Sequence, residues 1–490
     1  MKNIRSILNL FIYLFLFLNI AVILAWDQPG SREQEKVFRA GASITNITPF
    51  LGLEIIGGWN SPPATHVHDE LHVRCLVMDD GETMLALVVA DNLGLGRELI
   101  EEARRIIQNE TGLPPENVLI SATHTHSGVS AQGRGERRRG WNEGGSFDAY
   151  QEVVIRRIAD GVRIAINNLE PAQVGWGSCM VPRHVFVRRW KMKPGTDIPN
   201  PFGGQDKVVM NPGRNNPNLL EPAGQPDPEV VFLSLRSADG RPIALLANYS
   251  LHYVGGVPAG HISADYFGVF SDRIQELLGA DRQNPSFVGI LTNGTSGDVN
   301  NINFRGPAES HPPYGKMRIV ADDVAREVLK AYGSVDHHDW VELKSAQEEL
   351  GLAVRIPDRD MVSRARDILA RHDSIQPGHR HERVYARRTV QMLEWPDTID
   401  IIMQTFRVGD LGIAAIPFET FAETGLELKE RSPFEKTFAI SMANGSYGYL
   451  PTPEQHVLGG YETWLGTNRV EKEASRKIVS KLLDLFARIR

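Results

Sequence analysis

The sequence predicts an α/β protein with a layered, mixed β-sheet core flanked by helices and a functional site at the carboxyl ends of its strands. Two observations carry the fold. Continuous apolar, β-rich runs recur along the chain and end in polar or ionisable residues, and amphipathic segments of helical length separate them. Residues 84–90 run into Asp91, and residues 118–122 into His124 and His126. Residues 243–251 run into His252, and residues 287–291 into Asn293 and Asp298. Residues 411–417 run into Glu419, and residues 438–442 into Asn444 and Tyr449. Runs without polar alternation read as strands buried on both faces. The intervening helices are expected over residues 97–108, 150–168, 266–278, 317–332 and 421–430, with a closing helix over 471–490. In such folds loops converge beyond the strand carboxyl ends, so the polar ends point to one shared cleft.

Composition narrows the class. The 490 residues carry a net charge of −7 with no basic run, which gives no footing for a nucleic-acid partner. Lys2 and Arg5 precede an apolar run over residues 7–25, the pattern of a secretory signal ending at Ala25 or, uncleaved, of a membrane anchor. Export is expected either way, as a secreted, periplasmic or membrane-anchored protein, with the catalytic domain over residues 36–490. Cys75 and Cys179 are too few for a disulfide scaffold and lack CxxC spacing; they pair, or they are two buried thiols. Residues 130–147 and 191–227 read as long polar loops of the kind that form lids or binding walls. A P-loop, a GxSxG elbow, an HExxH helix and a complete dinucleotide fingerprint are all missing from the sequence.

The strongest local signal is Thr123-His124-Thr125-His126-Ser127-Gly128. Side chains of an extended chain repeat every two residues, so an HxH pair sets both imidazoles on one side. Neutral imidazole suits zinc, whose catalytic sites use about three protein ligands and leave one position open. A strand-end histidine pair is equally at home as two loop histidines. His252 alone reads as structural, Glu419 as a carboxylate favoured at a helix start, and Tyr449 and Tyr461 as packed phenols.

Together these segments resemble the neutral/alkaline non-lysosomal ceramidases, over most of the chain from Gly41-Ala42 to about Trp464. The family's Thr-His-Thr-His-Ser-Gly signature stands at residues 123–128. The segment Asn444-Gly445-Ser446-Tyr447-Gly448-Tyr449 and the later Tyr461-Glu462 pair match a second region of the family. The resemblance implies a Zn2+ cofactor held by His124, His252, Glu419 and Tyr449, with His126 as general base. It also implies Arg188 and Tyr461 beside the substrate carbonyl, and hydrolysis of the N-acyl amide of a small-molecule or lipid substrate, with association at a membrane surface. Two departures stand out. The family serine after Gly-Asp-Val is replaced by Asn300, a candidate substrate-binding residue, and the family's C-terminal immunoglobulin-like domain is not expected here. A zinc esterase or amidase on a non-lipid substrate, and a non-catalytic metal- or ligand-binding relative, fit the same ligands. Nothing in the sequence sets an oligomeric state.

Overall fold

The computed structural model describes residues 36–132, 146–280, 283–372 and 376–490; the expected signal or anchor over residues 1–25 lies outside them. Eight strands form one sheet: β1 (Arg39–Asn46), β2 (His72–Asp79), β3 (Met84–Ala90), β4 (Val118–Ala122), β5 (Glu170–Met180), β6 (Glu229–Ser237), β7 (Pro242–Tyr249) and β8 (Val288–Asn293). Their order across the sheet is β8-β7-β6-β5-β1-β2-β3-β4. A second sheet has four strands in chain order: β9 (Leu343–Ala353), β10 (Thr398–Val408), β11 (Leu411–Ile416) and β12 (Lys436–Ser441). The parallel neighbours are the pairs β3–β4, β7–β8 and β11–β12; every other neighbour in the two sheets is antiparallel.

The two sheets pack face to face, and period-two alternation explains the continuous apolar runs. Along β3, Leu85, Leu87 and Val89 join the core between the sheets with Phe406, Ile413 and Phe438. Ala86, Val88 and Ala90 face instead the helices α1 (Arg97–Thr111) and α2 (Ala149–Asn167), through Leu99, Ile100, Val154 and Ile158. Strand β7 does the same toward α3 (Asp265–Leu277) and α4 (Gly315–Tyr332). The outer face of the second sheet is covered in part by α8 (Ala474–Ile489), with α7 (Ala422–Arg431) packed at its end. A helical hairpin of α5 (Arg359–Ala370) and α6 (Glu382–Gln391) joins β9 to β10.

Strand β12 binds both halves of the large sheet. The Asn444 N–H donates to the Ile120 carbonyl on β4 at 2.8 Å, and the Asn248 side chain on β7 donates to the Ala439 carbonyl at 3.1 Å. The carboxyl ends of all three parallel pairs therefore gather on one side.

The layered class and the six strands read from apolar runs match the structure. Strands β1, β2, β5, β6, β9 and β10, and the α5–α6 hairpin, had no reading in the sequence. Residues 191–227 are not one loop: Val208–Met210 and Leu219–Pro222 pair on either side of Arg189–Met192, folding the segment back as a small sheet. Of residues 130–147, positions 133–145 lie outside the described residues. Cys75 and Cys179 are free thiols, both pushed up to about 12 by burial. Among the described residues no helix is long and apolar enough to cross a membrane.

Phe406, fully buried between the sheets, tests this packing. Phe406→Ala should cost about 3–5 kcal/mol of stability in urea unfolding; a loss under about 1 kcal/mol would show that the sheets do not close over it.

Candidate metal centre and active site

Each parallel strand pair delivers part of the site. His124 and His126 follow β4, His252 follows β7, and Glu419 and Tyr449 follow β11 and β12, where Glu419–Thr420 pairs in parallel with Tyr449–Leu450. His124 sits in the left-handed region at φ 68°, a strained conformation for a residue with a Cβ. The strain turns the chain sharply after β4.

Proton bookkeeping separates the three histidines. His124 Nδ1 lies 2.6 Å from the Leu93 carbonyl and His252 Nδ1 lies 3.2 Å from the Ser296 carbonyl. A carbonyl can only accept, so each Nδ1 carries a proton, and in the neutral ring each Nε2 presents a lone pair. Those lone pairs face a carboxylate: Glu419 Oε2 stands 3.2 Å from His124 Nε2 and 3.8 Å from His252 Nε2. His252 Nε2 and Glu419 Oε2 are buried with no hydrogen-bond donor. Three acceptors turned toward one another, out of water, repel unless a cation lies among them. Donors about 2.0–2.1 Å from a tetrahedral ion stand roughly 3.3 Å apart, which suits these separations. The residues therefore fit a divalent metal.

His126 places its Nε2 3.2 Å from His124 Nε2, and one nitrogen from each of His124, His126 and His252 falls within 4.8 Å of the others. The Gly57 backbone lies alongside the His126 ring as a hydrogen-bond partner. Burial first, then the neighbouring His124 and Arg188 charges, hold it well below the usual imidazole range. Burial, Arg188 and His124 do the same to His252. The Tyr449 phenol is raised by burial.

Arg188 covers the Tyr449 ring at 5.3 Å. Its Nε donates to Glu462 at 2.9 Å and its Nη2 to the Gly297 carbonyl at 2.8 Å. Burial opposes its charge, yet Tyr449 and Glu462 raise it further. Tyr461 lies edge-on to Tyr449 at 5.7 Å, and burial raises its phenol. The structure thus brings His124, His126, His252, Glu419, Tyr449, Arg188 and Tyr461 into one cluster. Asn300 stands apart from the histidines: its Nδ2 donates to Asn211 at 2.8 Å and its Oδ1 accepts the Ile302 N–H. Since the Asn211 N–H donates to the Arg188 carbonyl, Asn300 buttresses the strand that carries Arg188.

The tertiary likeness is specific. The crystal structure of neutral ceramidase from Pseudomonas aeruginosa superimposes with a TM-score of 0.68, over 93% of this chain and 75% of that one, at 15% identity. The fold is that of neutral ceramidase. A ceramidase complexed with C2 matches equally, with a TM-score of 0.67 over 93% and 76% at 14% identity. No family model matches the chain.

Several neighbours of the site had no reading in the sequence. The Leu93 and Ser296 carbonyls act through backbone and leave no side-chain signature. Tyr253 stacks on His126 at 3.9 Å and 17°, beside the ligand position His252. Gly57, at φ 124°, closes the other side, where a Cβ would fall 2.8 Å from His126 Cβ. Asp265 fixes the Tyr253 loop by accepting the Val254 and Gly255 N–H groups. Tyr253→Phe should keep most activity, whereas Tyr253→Ala should lower kcat about tenfold or more with metal content unchanged. Equal activity in both would remove Tyr253 from the site.

Asp298, beside Glu419, accepts the Ala422 N–H through Oδ1 while Oδ2 has no partner. Burial raises it to about 7. The folded protein then binds more protons than the unfolded chain between pH about 4 and about 7, so this group's contribution to stability falls as pH rises through that window. Asp298→Asn, uncharged throughout, should be more stable relative to wild type at pH 8 than at pH 5. Urea midpoints that shift in parallel at both pH values would contradict it.

Proposed function

We propose that this protein is a zinc-dependent hydrolase that cleaves an N-acyl amide. The observation that supports it is the convergence of His124, His252 and Glu419, where buried His252 Nε2 and Glu419 Oε2 have no hydrogen-bond partner, beside a third histidine, His126. The neutral-ceramidase fold supports the same reading. His124, His252, Glu419 and Tyr449 would hold the metal. When bound, zinc polarises an acyl carbonyl and brings the pKa of water toward neutrality.

The chain's own groups do the rest. His126, uncharged at neutral pH, takes a proton from the attacking water and returns it to the leaving nitrogen. Tyr461 donates its phenol to the oxygen that becomes negative, a contact worth about 3 kcal/mol where such donors have been removed. Arg188 supplies fixed positive charge behind Tyr449. Water adds to the acyl carbon, the C–N bond breaks, and a carboxylic acid and an amine leave. A lipid amide such as a ceramide is one substrate within this class, and the apolar run over residues 7–25 supports export, cleaved or anchored.

Metal analysis beside an amide panel that includes a ceramide tests this reading. About one zinc per chain is expected, lost in His124→Ala and retained in His126→Ala, with turnover abolished in both. Zinc without turnover of any amide or ester would leave a metal-binding protein, and absence of metal would overturn the proposal.

A further inference from the structure

The wall beside Tyr461 is built from elements remote in sequence. Trp59, 53% exposed, stacks on His381 at 3.8 Å and 9° and meets Tyr461 edge-on at 6.0 Å. Trp464 stands edge-on to Tyr461 at 5.8 Å and to Tyr385 at 5.2 Å. Arg388, in the last turn of α6, covers the Tyr385 ring at 5.0 Å. Trp59 lies two residues from Gly57, which packs on His126, so this surface runs directly out of the reacting groups.

The charges along this wall do not balance. Its acids are already engaged: Glu462 by Arg188 and Arg189, Glu382 by Arg364 and Arg371, and Asp206 by the Trp464 indole and Asn200. Arg388 is half-buried and reaches the Tyr385 ring and hydroxyl, but no carboxylate among the described residues pairs with it. Its neighbours respond. His381 is lowered to about 4 by burial, then by Arg380, His379 and Arg388, and Arg469 is lowered to about 10 by burial, then by Arg388. A guanidinium with unspent donors beside an accessible aromatic face matches a carboxylate attached to an apolar or planar body.

We propose that the site is selective for amides in which one half ends in a carboxylate, bound by Arg388 while the chain lies along Trp59 and His381. This rests on the hydrolase reading and narrows its substrate class. The carboxylate can sit on the amine half or on the acyl half, and the two are separable. In either case water adds to the amide carbon, the C–N bond breaks, and the transferred proton leaves on the amine.

The test compares kcat/KM for N-octanoylglycine with N-octanoylethanolamine, and for N-butylsuccinamate with N-butylbutyramide. Wild type should favour the carboxylate member of one pair by about ten- to a hundredfold. Arg388→Gln should bring that ratio close to one by raising KM at unchanged kcat, leaving the neutral member unaffected, and Arg388→Lys should keep part of the preference. No preference in either pair, or equal loss on both members in Arg388→Gln, would overturn the proposal. Should wild type turn over none of them, the hydrolase reading is decided by the wider amide panel, and calorimetric binding of the same compounds decides the anion recognition. Tighter binding of a carboxylate member that is lost in Arg388→Gln sustains anion recognition; indifferent binding ends it.

Discussion

A buried carboxylate oxygen 3.2 Å from the Nε2 of an imidazole whose Nδ1 is held by a backbone carbonyl is the contact on which the arrangement depends. In water it would relax by hydration. Here it is buried, and the backbone on both sides prevents escape: Leu93 and Ser296 hold the rings, while Glu419 is paired to Tyr449 in a short parallel bridge. The surrounding protein is thus organised to keep lone pairs pointed at a common centre, an arrangement favourable only with positive charge among them.

That convergence follows from how the sheets close. Antiparallel strands alternate direction and scatter their ends, whereas each parallel pair presents two carboxyl ends side by side. The two sheets have three such pairs and place β12 against both halves of the large sheet. Helices α1 and α3 pack over the same strands, so the turns that follow them start from fixed positions.

The elements legible in the sequence were those whose physics is local. Strands such as β3 and β11 bury both faces and read as unbroken apolar runs, and their helices keep a clear apolar stripe. Strand β9 is half-exposed along Lys344–Glu349 and reads as polar, so its periodicity is hidden by solvent contact. The side chains that the sequence singled out, at His124, His126, His252, Glu419, Tyr449, Arg188 and Tyr461, were those with a motif to mark them, and they meet in one cluster. The site was opaque where the chemistry is carried by backbone carbonyls, or by rings such as Trp59, His381 and Tyr253 that meet only after folding. Asn300 shows the intermediate case: its position was found by motif, but its amide is spent on Asn211.

The division of donors among the strand pairs also governs how the protein comes into being. Of the candidate ligands, the β3–β4 unit holds His124, the β7–β8 unit His252, and the β11–β12 unit Glu419 and Tyr449. No early folding unit holds a complete set, and the contacts joining the units span most of the chain, which makes assembly slow relative to local folding. An ion held by these residues would be bound fully only once the three units have packed together. Resistance to a chelator should then develop in step with the last packing of the sheets, making metal retention a clock for maturation of the whole chain.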